Sequence, residues 1–146
     1  MEIKSNKISS DNFTKTFNIF ERELNTLFHR KTQSITGGNV REPKNAYCYI
    51  YAKQLKSKEN LTIEIDVLYD KMNEDYIYYN YNIFFNNNKL ILHYEPTHKE
   101  HFQPHINVYV EGKELQNSQR EGIHIISPKY HPFEILSLIK RYFVRS

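Results

Sequence analysis

The 146-residue chain contains no tryptophan, two methionines, four glycines and a single cysteine. One cysteine cannot form an intramolecular disulfide, so a disulfide framework is excluded and a reducing compartment is favoured. Cys48 lies in an alternating apolar run, which is more typical of a small buried side chain than of a reactive thiol. Without tryptophan, the 12 tyrosines and 9 phenylalanines must supply most of the bulky core.

Long hydrophobic runs are also missing. No stretch reaches the roughly 18 apolar residues that a membrane span needs, and residues 1–13 lack the apolar middle of a secretion signal. We therefore expect a cytoplasmic protein with no membrane partner. The formal net charge is only +3, so any binding of nucleic acid must depend on a local patch rather than on overall charge.

The spacing of apolar residues predicts a helix at each end of the chain and strands between them. Between Ser9 and Arg30 the apolar residues recur every three or four positions, and Ser10 or Asp11 can cap this helix. The segment 131–143 has the same period. Six segments predict strands, namely 46–53, 61–69, 76–85, 90–94, 105–110 and 122–126.

This order predicts one α+β domain over residues 1–146, in which a single antiparallel sheet of about six strands carries an N-terminal and a C-terminal helix. Gly37 and Gly38, together with Pro43, indicate a flexible loop between the first helix and the first strand. The asparagines at 86–88 predict a hairpin turn, because asparagine tolerates a left-handed backbone.

Four of the seven histidines lie within thirteen positions, at 93, 98, 101 and 105. The spacing of His98, His101 and His105 would place them on one helical face and could bind zinc, but Pro104 interrupts such a helix and favours a loop. A metal site with Glu95 or Glu100 as an oxygen ligand is an alternative. The spacing matches no specific zinc signature, so we expect no metal and no cofactor.

The histidines also suit acid–base chemistry, since the unperturbed pKa of histidine is about 6.5. Cleavage of RNA without a metal needs one imidazole to remove the 2′-hydroxyl proton, another to protonate the leaving 5′-oxygen, and a cation near the phosphate. The candidates are His93 at a strand end, His98 and His101 in the loop, His105 entering the next strand, and His124 on a later strand. The ordinary alternative for each is a polar loop or strand residue. His29 and His131 are interpreted as helix-end residues.

The stretches "YNIFFNNNKLILHYEP", "HFQPHINV" and "ISPKYHPFEILSLIKRYF" resemble the TumE-like family of toxin–antitoxin toxins over the C-terminal half of the chain. Tyr94 and Glu95 stand where that family has Tyr-Asp, His98 lies near its first histidine pair, and His105 lies where its second histidine run begins. His93 replaces an arginine of the family pattern. The resemblance implies a ribonuclease toxin neutralised by a cognate antitoxin.

Two hypotheses follow. The first is a metal-independent RNA-cleaving toxin with His98 and His105 in acid–base roles, His101 or His93 assisting, Glu95 orienting an imidazole and Lys99 stabilising the phosphate. The second is a non-catalytic protein-binding module, an inhibitor or adaptor, that uses its first helix and tyrosine-rich strands such as 46–53. The expected partners are an RNA substrate, an antitoxin protein and a second copy of the chain in a homodimer.

Overall fold

The computed structural model describes residues 13–28, 35–40, 47–56, 61–97 and 102–142. Eight strands in these ranges form one antiparallel sheet in the order β1 to β7, and β8 pairs with β6 beside β7. The elements are α1 (Phe13–Phe28), β1 (Ile35–Val40), β2 (Tyr47–Lys56), β3 (Leu61–Asp70), β4 (Asp75–Phe85), β5 (Asn88–Tyr94), β6 (His105–Val110), β7 (Lys113–Glu114), β8 (Ile125–Ile126) and α2 (Pro132–Tyr142). The fold is α+β, with the sheet dominant.

The predicted number of six strands is wrong, because the described residues contain eight. The segment around Gly37 and Gly38 is not a loop but strand β1, which pairs with β2 along its whole length. Gly38 lies opposite Tyr49, and the Tyr49 ring is 3.6 Å from the point where a Cβ on Gly38 would lie. An aromatic ring over a strand glycine supplies packing that glycine itself lacks. The short strand β7 is the second strand that the sequence did not predict.

The core lies on one face of the sheet and follows the predicted alternation. In β3 the residues Leu61, Ile63, Ile65 and Val67 are all at most 1% exposed. Helix α2 contributes Phe133, Leu136 and Ile139 to the same core, as its period predicts, and α1 contributes Leu24. Removing this apolar surface from water is the main favourable contribution to folding. Lys140 of α2 also forms an ion pair with Glu23 of α1.

Buried tyrosines attach the segment before α2 to the sheet. The Tyr81 hydroxyl donates a hydrogen bond to the Tyr130 carbonyl oxygen at 3.0 Å, and the Tyr130 amide donates to the Tyr79 hydroxyl at 3.3 Å. Burial raises the pKa of both Tyr79 and Tyr81, so both stay neutral. These two bonds position the start of α2 over strand β4.

Cys48 is 1% exposed, and burial raises the pKa of its thiol to about 12. A thiol that stays protonated at neutral pH is a weak nucleophile, which agrees with a packing role. The predicted caps of α1, Ser10 and Asp11, lie outside the described residues. Neither of the two described helices is long and apolar enough to cross a membrane.

The face of the sheet opposite the core is called the open face here. Residues on β2 to β6 that alternate with the core positions form it, including Tyr51, Asp66, Asn80, His93 and His105, which follow one another across the register of five strands. Because side chains on a strand alternate between faces, these residues project away from the core and its helices.

The turn between β6 and β7 requires a left-handed backbone at Glu111 and Gly112, where φ is 51° and 79°. Gly112→Ala should therefore lower the free energy of unfolding by about 1 kcal/mol, although a Cβ there meets no atom within 4 Å. Gly38→Ala is the matched control, since its φ is not left-handed and a Cβ there makes only ordinary contacts. Urea unfolding of both variants checks the difference, and equal effects would contradict it.

Candidate histidine site

Three imidazoles from three separate segments meet on the open face. His93 on β5 lies directly opposite His105 on β6, and their ring centroids are 5.5 Å apart. His124, which precedes β8, lies on the other side of His105 with a centroid distance of 4.9 Å. Both pairs meet edge to face. The antiparallel pairing of β6 with β5 and with β8 brings the three rings together, so His93, His105 and His124 form what is called the histidine cluster below.

His105 is the middle ring and is 4% exposed. Its Nδ1 is 2.9 Å from the carbonyl oxygen of Gln103. A carbonyl only accepts hydrogen bonds, so Nδ1 carries the proton and donates it. In the neutral ring the lone pair is then on Nε2. The Gln103 carbonyl therefore orients His105 as a base that acts through Nε2.

In the neutral ring of His124 the proton is on the other nitrogen than in His105. The amide nitrogen Nδ2 of Asn107 lies 3.1 Å from Nδ1 of His124, 3.3 Å from Glu114 Oε1 and 3.4 Å from the Ile123 carbonyl oxygen, so its two N–H groups are shared among three acceptors. Because these two oxygens accept, the amide nitrogen is correctly placed and Nδ1 of His124 must accept. The proton of the neutral His124 ring is therefore on Nε2, where it can be donated.

His93 is next to a carboxylate. Its Nε2 is 3.5 Å from Oε2 of Glu95, and the two side chains are 30% and 47% exposed. The contact is an ion pair whenever His93 carries both of its protons. Glu95 thus lies where the sequence hypothesis needs a group that orients an imidazole. His93 is also more accessible than His105, which is nearly covered.

Tyr94, another predicted site residue, is not brought to this cluster. Tyr94 lies on the core face of β5 and is 8% exposed, with the Nζ of Lys129 4.8 Å from the centre of its ring. His98, Lys99 and His101 lie outside the described residues, as does Glu100. His131 is at the start of α2, as predicted, on the core side of the sheet.

The residues that the structure describes contain no group of three or more histidine, cysteine, aspartate or glutamate side chains that could hold a metal ion. The three rings of the cluster stand edge to face, with interplanar angles of 75° and 73°. Their contacts include those between the rings and those with Gln103, Asn107 and Glu95.

Sequence analysis did not identify Gln103 or Asn107. Asn107 could have been found, because it follows His105 by two positions in a predicted strand and must share its face. The Gln103 contribution comes from a main-chain carbonyl, which carries no residue-type signal. Neither a protein-family model, nor a curated protein, nor a solved structure matches this chain. The likeness to TumE-like toxins therefore stays an expectation.

Proposed function

We propose that the protein cleaves RNA without a metal ion and acts as a toxin neutralised by an antitoxin protein. The observation that supports this proposal best is the histidine cluster, in which three adjacent imidazoles have three different hydrogen-bonding environments. Acid–base catalysis requires groups in different protonation states within reach of one reacting centre.

In the proposed reaction, Nε2 of His105 removes the proton from the 2′-hydroxyl of a ribose. The 2′-oxygen then attacks the adjacent phosphorus, and the bond from phosphorus to the 5′-oxygen breaks. His93, whose proton is held by the Glu95 carboxylate, protonates that leaving oxygen. The products are a 2′,3′-cyclic phosphate and a 5′-hydroxyl, so no water or metal is consumed.

His124 donates from Nε2 to a phosphate oxygen in this scheme, which stabilises the charge that develops there. His98, His101 and Lys99 remain proposed contributors, with Lys99 as the cation at the phosphate. Only 4% of His105 is exposed, so side chains that cover it must move before the reacting ribose reaches its Nε2.

The first test uses purified protein and RNA in the presence of a chelator. We expect the wild type to produce 2′,3′-cyclic phosphate ends, and His93→Gln to cleave about a hundredfold more slowly, because general acid catalysis typically contributes at least this much. His131→Asn, which changes a histidine on the core side, is the control and should keep full activity. Cleavage that stops in the chelator, or equal rates for His93→Gln and the wild type, would refute the proposal.

A protein-binding role is the second candidate, and exposed aromatic rings on the open face favour it. Tyr49 and Tyr51 are 36% and 42% exposed on β2. Tyrosine provides a large contact area with few rotatable bonds and is enriched in binding surfaces. A stoichiometric complex formed by a protein that is inactive towards RNA would support this candidate over the first.

A further inference from the structure

The open face contains a recess beside the histidine cluster, between β2, β3 and β4. Its volume is about 160 Å³, and its polar lining comes from Tyr51, Lys53, Glu64, Asp66, Asn80 and Asn82. The lining thus holds two carboxylates, two carboxamides, one aromatic ring and one ammonium group. This is a small polar concavity rather than the larger apolar pocket typical of drug-like ligands.

The recess is rich in hydrogen-bond acceptors. Oε1 of Glu64 accepts a hydrogen bond from Nδ2 of Asn82 at 3.2 Å, and Oδ1 of Asp66 accepts from the hydroxyl of Tyr78 at 3.2 Å. These bonds hold both carboxylates in place through one oxygen each. The bond from Asn82 to Glu64 also fixes which end of the Asn82 amide is oxygen.

Two acceptors in the lining lack a partner. Oδ1 of Asn80 and Oδ1 of Asn82 are shielded from solvent and form no hydrogen bond with any residue that the structure describes. An unsatisfied buried polar atom is unfavourable, and such atoms in a folded protein call for a specific explanation. A ligand that brings several N–H donors into the recess would satisfy these oxygens once rotation of each amide turns them towards it.

We propose that this recess binds the guanidinium group of an arginine on a protein partner. A guanidinium is planar, permanently charged and carries five N–H donors, so it matches a site with two carboxylates and two amide oxygens. The Tyr51 ring offers the aromatic wall on which guanidinium groups stack. The two carboxylates outweigh the single charge of Lys53, which disfavours phosphate groups. Lysine fits less well, because its ammonium is a point charge with three donors.

The recess adjoins the histidine cluster, since Asn80 pairs directly with His93 in the register of β4 and β5. A partner that inserts an arginine there would lie over the open face next to His93 and restrict access to it. The site itself does not depend on the proposed cleavage reaction. Arginine binding and RNA cleavage can therefore succeed or fail separately.

The test is an NMR titration of the full chain with N-acetyl-arginine methylamide, observing the side-chain amide signals of Asn80 and Asn82. We expect a saturable shift with this probe, and at least about tenfold weaker binding of the neutral isostere N-acetyl-citrulline methylamide, because a charge-assisted hydrogen bond is roughly twice as strong as a neutral one. N-acetyl-lysine methylamide should also bind more weakly. Guanosine 5′-monophosphate represents recognition of an RNA base by the same acceptors and should bind least.

Glu64→Gln and Asp66→Asn should each weaken arginine binding by about tenfold, whereas the exposed Glu121→Gln should leave it unchanged. The two-dimensional NMR spectrum of each variant establishes that it is folded. Comparison of the four probes on the wild type tests the proposal without any variant. The proposal is overturned by equal binding of the arginine and citrulline probes, by tighter binding of the guanosine nucleotide, or by no saturable shift with arginine.

Discussion

Replacing His105 by alanine is expected to lower the rate of RNA cleavage by roughly 10³-fold. General base catalysis by a positioned imidazole typically contributes between about 10² and 10⁴, and His105 is the ring whose lone pair is directed to Nε2 by the Gln103 carbonyl. The measurement is single-turnover cleavage of a short RNA by purified protein across a range of pH. A general base gives a rising limb in the pH–rate profile, and the variant should lose that limb.

Alanine at this position also removes a buried side chain, so a second variant separates chemistry from folding. His105→Asn keeps an N–H group that can donate to the Gln103 carbonyl and keeps much of the side-chain volume, but an amide cannot accept a proton at neutral pH. We expect this variant to fold like the wild type and to cleave as slowly as His105→Ala. Wild-type rates in a folded His105→Asn would exclude His105 as the base.

The strand pattern explains how much of the site could be predicted. His93 ends one predicted strand and His105 begins the next, so an antiparallel pairing of neighbours places them side by side. The position of His124 was harder to predict, because residues 111–124 separate β6 from β8 and the length of this segment does not fix the register of their pairing. The hydrogen bonds that distinguish the three rings depend on that register, and sequence alone does not reveal them.

The main error in the predicted fold has a similar cause. Gly37 and Gly38 are poor strand residues by local preference, so the sequence alone favours a loop for this segment. The pairing partner overrides that preference, since β2 offers a continuous strand edge and the Tyr49 ring covers Gly38. In contrast, the alternation in β3 and the helical period of α2 reflect burial on a single face, and Leu61, Ile63, Ile65 and Val67 of β3 and Phe133, Leu136 and Ile139 of α2 are buried.

Acidification from pH 7.5 to pH 5 is expected to lower the free energy of unfolding through His131 by about 2 kcal/mol. His131 is 2% exposed, and burial lowers its pKa to about 4. Its Nδ1 accepts a hydrogen bond from the Phe133 amide at 3.1 Å, and its own amide donates to Oε1 of Glu134. This is a reciprocal helix cap in which a neutral imidazole replaces the usual serine or aspartate.

The direction of this pH effect follows from the number of protons that the folded and the unfolded chain bind. Between pH 6.5 and about pH 4 the unfolded chain protonates His131 and the folded chain does not, so the unfolded state binds more protons there. The stabilisation is fully present above pH 6.5 and is lost as the pH falls towards 4, at up to about 1.4 kcal/mol per pH unit. Burial raises the pKa of Glu134, whose contribution has the opposite sign, so the wild type alone does not isolate His131.

The variant His131→Asn isolates the contribution of His131 to the pH dependence. Asparagine is a favourable cap whose side-chain oxygen can accept a hydrogen bond from the Phe133 amide, but it does not titrate. Urea unfolding of both proteins at several pH values gives the difference in their free energies of unfolding. We expect the wild type to lose about 2 kcal/mol relative to the variant between pH 7.5 and 5, since Glu134 titrates in both. A difference that does not change with pH would show that His131 is protonated equally in the folded and unfolded chain.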